Sequence, residues 1–325
     1  MRSCTRVKHP VVNFDNPSRL RVFVLHQNES SFRFQFTAMR PVLLFVAVFF
    51  FQQLFAQTPD REDYNIWRSD DSIPTYYVSA NKAMVRQTPS TDGILLDSLL
   101  LGDKLLRREI TKTYSTIRGI YAPWIKVDYE KNGQQRSGYV WIGLLGFQSL
   151  VKNDTVFVYG LEKVRSSKAE TMGFEETKYT ISLKAISKNS LIAFKEWTIA
   201  GDESASYVVS KKLGDMGLKN THEILRISLG GEACGIPTNY YYHGWDGKRL
   251  YDLPGKYEVG DAGVYYHTET LLFPNEKGGK PGLIIKLVEE EALIQEETAT
   301  QKEKFKKTNK KDVYAWNGEK ATRIK

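Results

Sequence analysis

The chain has 325 residues, of which 41% are apolar and 26% charged. That balance excludes a disordered chain and a bundle of membrane helices, and leaves room for about two globular domains. The formal charge of +8 would suit an acidic partner, but seven of the 46 cations and only two of the 38 anions fall in residues 1–56, leaving 39 against 36 beyond them. Without that leader the case for nucleic acid disappears, and no nucleic-acid partner is expected.

Residues 1–38 are polar, mixed and without period. They are set aside as an upstream gene-model extension or an extended leader. From Met39 the pattern changes: Arg40 supplies a positive start, Pro41 to Phe51 an apolar run, and Leu54-Phe55-Ala56 a small-residue cleavage site before Gln57. This is the pattern of a signal peptide over residues 39–56, and it predicts export to the periplasm or the extracellular surface. The apolar run is shorter than the ~20 residues of a membrane span, so no stable span is expected after cleavage. No Cys follows the cleavage site. Cys4 falls in the leader, so Cys234 is expected as a lone, buried thiol without an internal disulfide.

Residues 57–73 form a charged linker with one aromatic pair, Tyr64 and Trp67. Between 74 and 148, short apolar-alternating runs are divided by turn residues, which predicts a small curved all-β barrel. Tyr76 to Val78 begins it, and Thr88-Pro89-Ser90 with Asp92-Gly93 marks a turn. Gly102-Asp103 marks the next. Leu105 to Tyr114 is a strand, and Ser115 to Pro123 a loop. Trp124 to Tyr129 alternates, with Trp124, Lys126 and Asp128 on one face and Ile125, Val127 and Tyr129 on the other. Asn132-Gly133 is a hairpin turn, because Asn-Gly readily takes positive φ. Gly138 to Ile142 is the return strand.

The blocks Val85-Arg86, Pro89-Ser90, Gly102-Asp103, Trp124-Ile125-Lys126-Val127 and Gly138-Tyr139-Val140 resemble a bacterial SH3-like domain in order and spacing. The resemblance covers about 75 residues and departs from the family at Thr111 to Pro123, which is longer than usual. It implies a non-catalytic binding module of the cell envelope, with a cell-wall peptide or an envelope protein as partner. An aromatic groove between loops would carry the binding, and Tyr121, Trp124, Tyr139 and Trp141 are the candidate ligand-binding residues.

Residues 149–325 continue as a second β-rich domain. Runs at 155–159, 178–185, 196–201, 207–209 and 223–229 alternate as strands. A weak internal repeat appears: Tyr242 to Arg249 and Val313 to Lys320 each carry a Trp-bearing strand into an Asp-Gly or Asn-Gly hairpin. Upstream, Gly217 to Ile224 corresponds to Gly278 to Ile284. These segments are similar to degenerate integrin-type β-propeller repeats. Two copies cannot close a propeller, so a small sheet assembly is the other reading. That family's loop implies calcium, but Asp215, Asn220 and Glu223 offer few of the six to eight oxygens calcium takes. No metal or other cofactor is expected. Glu289 to Asp312, with acidic residues first and lysines after, predicts a solvated helix or a long hairpin loop.

Catalysis finds little support. Cys234 lies among strand and turn residues rather than at a helix N-terminus that would activate it. His222-Glu223 lacks the second His of a zinc-peptidase helix, with Arg226 in its place. A divergent cell-wall hydrolase built on Cys234, His243 and His267 is the alternative to a binding protein. A structural or assembly protein is the third. Nothing in the pattern fixes an oligomeric state.

Overall fold

The computed structural model describes residues 63–70, 75–168, 175–231, 233–261, 263–298 and 300–325. The leader and its cleavage site lie outside them. The chain is mainly β, and its described residues form three antiparallel sheets that follow one another along the sequence.

The first sheet holds β1 (Thr75–Tyr77), β2 (Lys82–Arg86), β3 (Leu95–Leu100), β4 (Lys104–Ile117), β5 (Ile120–Lys131) and β6 (Gln134–Trp141). Its order is β1-β4-β5-β6-β2-β3. A single pairing, Arg86 with Tyr139, joins β2 to β6, and there the sheet curls. The turn before β6 is as the sequence predicts: Asn132 and Gly133 have φ of 52° and 72°, the left-handed pair of a two-residue hairpin.

The segment Thr111 to Pro123 is not a loop. β4 runs on to Ile117 and β5 starts at Ile120, so the extra residues lengthen a hairpin whose tip is Arg118-Gly119. That tip docks on the second sheet, with the Val164 amide donating to the Arg118 carbonyl at 3.2 Å. Gly119 is required there: its φ is 77° and a Cβ would stand 2.2 Å from the Val164 oxygen.

The second sheet, in the order β10-β9-β8-β7, comprises β7 (Gly146–Lys152), β8 (Thr155–Lys168), β9 (Glu175–Ser187) and β10 (Ser190–Ala200). The third runs in chain order through β11 (Tyr207–Lys212), β12 (Glu223–Gly230), β13 (Thr238–Trp245), β14 (Leu250–Asp261), β15 (Tyr265–Leu272), β16 (Leu283–Gln295), β17 (Lys304–Trp316) and β18 (Ala321–Arg323). The residues after 148 therefore build two sheets, and the first of them already begins at Gly146.

The repeat is visible in the third sheet. β11 to β14 and β15 to β18 are two four-stranded meanders with a 4-residue hairpin after each Trp strand. In the first hairpin Asp246 accepts from the amides of Lys248 and Arg249, and in the second Asn317 accepts from those of Glu319 and Lys320. Gly247 and Gly318 share φ near 100°, at 101° and 103°. However, β14 pairs directly with β15. Propeller blades are separate sheets around an axis, whereas these two arms form one continuous sheet.

Glu289 to Asp312 is a hairpin of two paired strands, not a helix. Glu290 stands opposite Thr308 and Glu291 opposite Lys307, with Lys307 to Glu291 at 3.0 Å and Lys310 to Glu290 at 3.6 Å. β18 pairs only with Tyr314 to Trp316, so most of β17 is a sheet edge. Lysines along an open edge discourage pairing with another chain. That role accounts for Lys304, Lys306 and Lys311.

One core runs through all three sheets. It joins Val85, Ile125 and Trp141 of the first to Phe157, Tyr159 and Leu183 of the second and Leu225, Ile227 and Trp245 of the third. Residues 63–70 belong to it as well: a 3₁₀ helix, Asp63–Asp70, buries Tyr64, Ile66 and Trp67. This part of the expected linker is structural. Asp63, fully buried, accepts from the Tyr121 amide at 2.8 Å and the Tyr179 hydroxyl at 2.9 Å, tying the first sheet to the second.

Candidate functional site

The aromatic residues chosen in the first sheet do not form a groove together. Trp124 and Trp141 are 3% and 1% exposed. Their ring N–H groups are spent internally: Trp124 donates to Ser115 Oγ at 2.8 Å, and Trp141 to the Ala122 carbonyl at 2.9 Å. The lengthened β4–β5 hairpin supplies both acceptors. Neither indole presents a face to a ligand. Tyr139 packs partly against the core, and Tyr121 stacks on Tyr114 with ring centres 5.0 Å apart. These two remain half-buried at the surface.

The loop candidates are likewise occupied. Asp215 accepts from the Gly217 amide at 2.8 Å. Asn220, at φ 57°, packs beside Gly318 of the repeated hairpin. Glu223 is buried; it pairs with Lys152 at 3.0 Å and accepts from the Gly214 amide. Each does a separate structural task, and among the described residues no three His, Cys, Asp or Glu side chains gather to share a metal ion. No helix among the described residues is long and apolar enough to cross a membrane.

Cys234 corrects the sequence reading in one respect: it is exposed, in the turn between β12 and β13, rather than buried. That turn does not place it at a helix N-terminus, the setting that activates a nucleophilic Cys. His243 is buried at the junction of the second and third sheets, its ring 5.1 Å from that of Trp197 and its Nδ1 3.3 Å from Asp252. Packing against an indole leaves it no opening to a substrate.

The third sheet holds an arrangement that sequence reading missed. Between Tyr240 and Tyr242 the β13–β14 register shifts, and β14 carries the extra residue around Gly255. Such a bulge bends the strand and re-aims its side chains. A cavity of about 260 Å³ opens there, lined by Asn239, Tyr240, Tyr241, Gly255, Lys256, Tyr257, Glu269 and Lys286. Lys256 lies 4.2 Å from the centre of the Tyr240 ring, a cation–π contact, and Arg226 lies 5.5 Å from the same ring. The Tyr240 hydroxyl donates to Glu258 at 2.5 Å. Burial and that carboxylate push the phenol pKa well above its ordinary value, so Tyr240 stays neutral at physiological pH. Burial raises Tyr241 and Tyr257 too.

Behind this cavity, His267 is 3% exposed and stacks flat on Tyr257, with ring centres 4.0 Å apart and planes 8° from parallel. Its Nδ1 faces Glu290 at 3.2 Å and its Nε2 faces Glu269 at 3.5 Å. The other Glu269 oxygen accepts from the Tyr257 amide at 2.9 Å and from Lys286 at 3.0 Å. The imidazole thus holds the cavity wall in place. The sequence signal for this site, the run Asn239-Tyr240-Tyr241-Tyr242 before Gly255-Lys256-Tyr257, was present but had no period of its own. Comparison with family models, with curated proteins and with solved structures finds no match.

Proposed function

We propose that this chain is an exported, non-catalytic binding protein of the bacterial envelope that holds a cell-wall peptide or an envelope protein at the tyrosine–lysine cavity of its third sheet. The leader-like segment 39–56 and the SH3-like pattern of 74–148 support the location. The cavity carries the binding: three tyrosines offer rigid, amphipathic contact area at low entropic cost, with two ammonium groups and one amide among them. The first sheet is then a scaffold in its Trp124–Trp141 region, and contributes at most through Tyr121 and Tyr139. The burial of His243 against Trp197 and of His267 against Tyr257 weighs against the hydrolase alternative.

Co-sedimentation of the full chain with purified peptidoglycan tests this. The wild-type chain is expected to pellet at low salt, and Tyr241→Ala to weaken binding by at least about tenfold, as loss of an aromatic anchor does. No pelleting at low salt, or a Tyr241→Ala variant that pellets like wild type, would reject the proposal.

A further inference from the structure

Given that this cavity binds ligand, we infer that the group it recognises is a carboxylate at the end of a short peptide, received by Lys256 and Lys286. The inference begins with donors left over. An ammonium carries three N–H groups. Lys286, with its side chain 14% exposed, has one acceptor, Glu269 at 3.0 Å. Lys256, 16% exposed, reaches only Glu258 at 3.6 Å, beyond hydrogen-bond distance, and otherwise rests on the Tyr240 ring. Two largely buried ammonium groups with unspent donors therefore line one cavity, an arrangement whose desolvation an anionic ligand oxygen would offset.

The carboxylate that lines the cavity does not fill this role. Of the two Glu269 oxygens, one is shared between Lys286 and the Tyr257 amide, and the other faces His267. Glu258 is engaged by the Tyr240 hydroxyl. Each lysine already has one carboxylate beside it, Glu258 for Lys256 and Glu269 for Lys286, so their unspent donors suit a monoanion rather than a phosphate dianion, for which arginine forks or helix N-termini are the usual recognition groups. Size points the same way. At about 260 Å³ the cavity is smaller than the ~300–1,000 Å³ of sites for drug-sized ligands, and it is open to solvent, so a chain can enter it by one end. The amide of Asn239 can both donate to and accept from a peptide group next to the carboxylate.

Titration calorimetry of the full chain with four probes tests the inference: acetyl-Ala-Ala with a free carboxylate, its C-terminal amide, glucuronate and inorganic phosphate. The peptide acid is expected to bind at least tenfold tighter than its amide. Lys256→Gln and Lys286→Gln are each expected to erase most of that difference, lowering the affinity of the acid more than that of the amide. Because Lys286 also steadies Glu269, Lys256→Gln is the cleaner variant. Equal binding of acid and amide, phosphate binding as tightly as the peptide acid, binding by none of the probes, or an unchanged acid affinity in Lys256→Gln would each overturn it. Glucuronate binding more tightly than the peptide acid would keep the carboxylate and overturn the peptide as its source. A chain that pellets with peptidoglycan yet fails these titrations refutes the carboxylate alone. One that binds the peptide acid but never pellets refutes the envelope reading instead.

Discussion

Replacing Trp67 by Ala is expected to destabilise the chain by about 3–5 kcal/mol, the usual cost of deleting a fully buried indole, read as a lower urea midpoint with an unchanged slope. The prediction is large because the segment around Trp67 is not a tether. Trp67 is 2% exposed, meets Phe147 edge-on with ring centres 6.2 Å apart, and donates its ring N–H to the Leu145 carbonyl at 3.3 Å. It thus sits where the first sheet hands over to the second. With Asp63 bonded to both Tyr121 and Tyr179, the helix acts as a pin through two sheets. A stability change below about 1 kcal/mol would mean that the segment is the loose linker its charge suggests. A fragment of residues 73–148 would lack this pin, and the core it shares with β8 and β9, so its own fold is expected to be poor.

Lys184→Met is expected to cost about 3 kcal/mol, the lower end for breaking one side of a buried ion pair. Lys184 on β9 reaches Glu162 on β8 at 2.5 Å and the Ser79 carbonyl at 2.8 Å. Ser182 donates to the same carboxylate at 2.6 Å, and Arg118 from the hairpin tip stands 3.5 Å from it. Removing the lysine strands a partly buried carboxylate with weaker partners. The double variant Lys184→Met with Glu162→Met should recover most of the loss, because two apolar side chains in place of a buried pair are often neutral. Burial raises the Glu162 pKa, but Lys184, Ser182 and Arg118 outweigh it and hold the carboxyl below its ordinary value. Its contribution is therefore present above the ordinary carboxylate range and fades as pH falls through the lowered value. In Lys184→Met that acid-side loss of stability should shrink. An unchanged pH profile, or a double variant no better than the single, would contradict the assignment.

The strands and their turns were legible in the sequence wherever one rule acted alone. Asn132-Gly133 and Asp246-Gly247 name their hairpins through φ, and the alternation at 155–159 and 178–185 names β8 and β9. The repeat around Trp245 and Trp316 was legible for the same reason, since side-chain capping by Asp246 and Asn317 repeats with the residues. Legibility ended where tertiary packing decides. The lysines of 304–311 lack an apolar period because most of β17 is a solvated edge, where Lys307 and Lys310 reach Glu291 and Glu290 on β16. Residues 63–70 look solvated because the buried set of Asp63, Tyr64, Ile66 and Trp67 includes a carboxylate and follows no apolar period. The period-2 reading of β5 put Trp124 on the face of Lys126 and Asp128, but the β4–β5 extension supplies Ser115 to its ring and encloses it. The cavity at Gly255 depends on a register shift, which no local pattern of Tyr, Gly and Lys announces.

Amide hydrogen exchange of the full chain, with and without soluble disaccharide–stem-peptide fragments of peptidoglycan, tests the binding site most directly. Slowed exchange confined to residues 238–241 and 255–257, and lost in Tyr241→Ala, is the result predicted for a ligand seated at the tyrosine–lysine cavity. Slowing across residues 121–141 of the first sheet instead, or no slowing anywhere at saturating ligand, would contradict it.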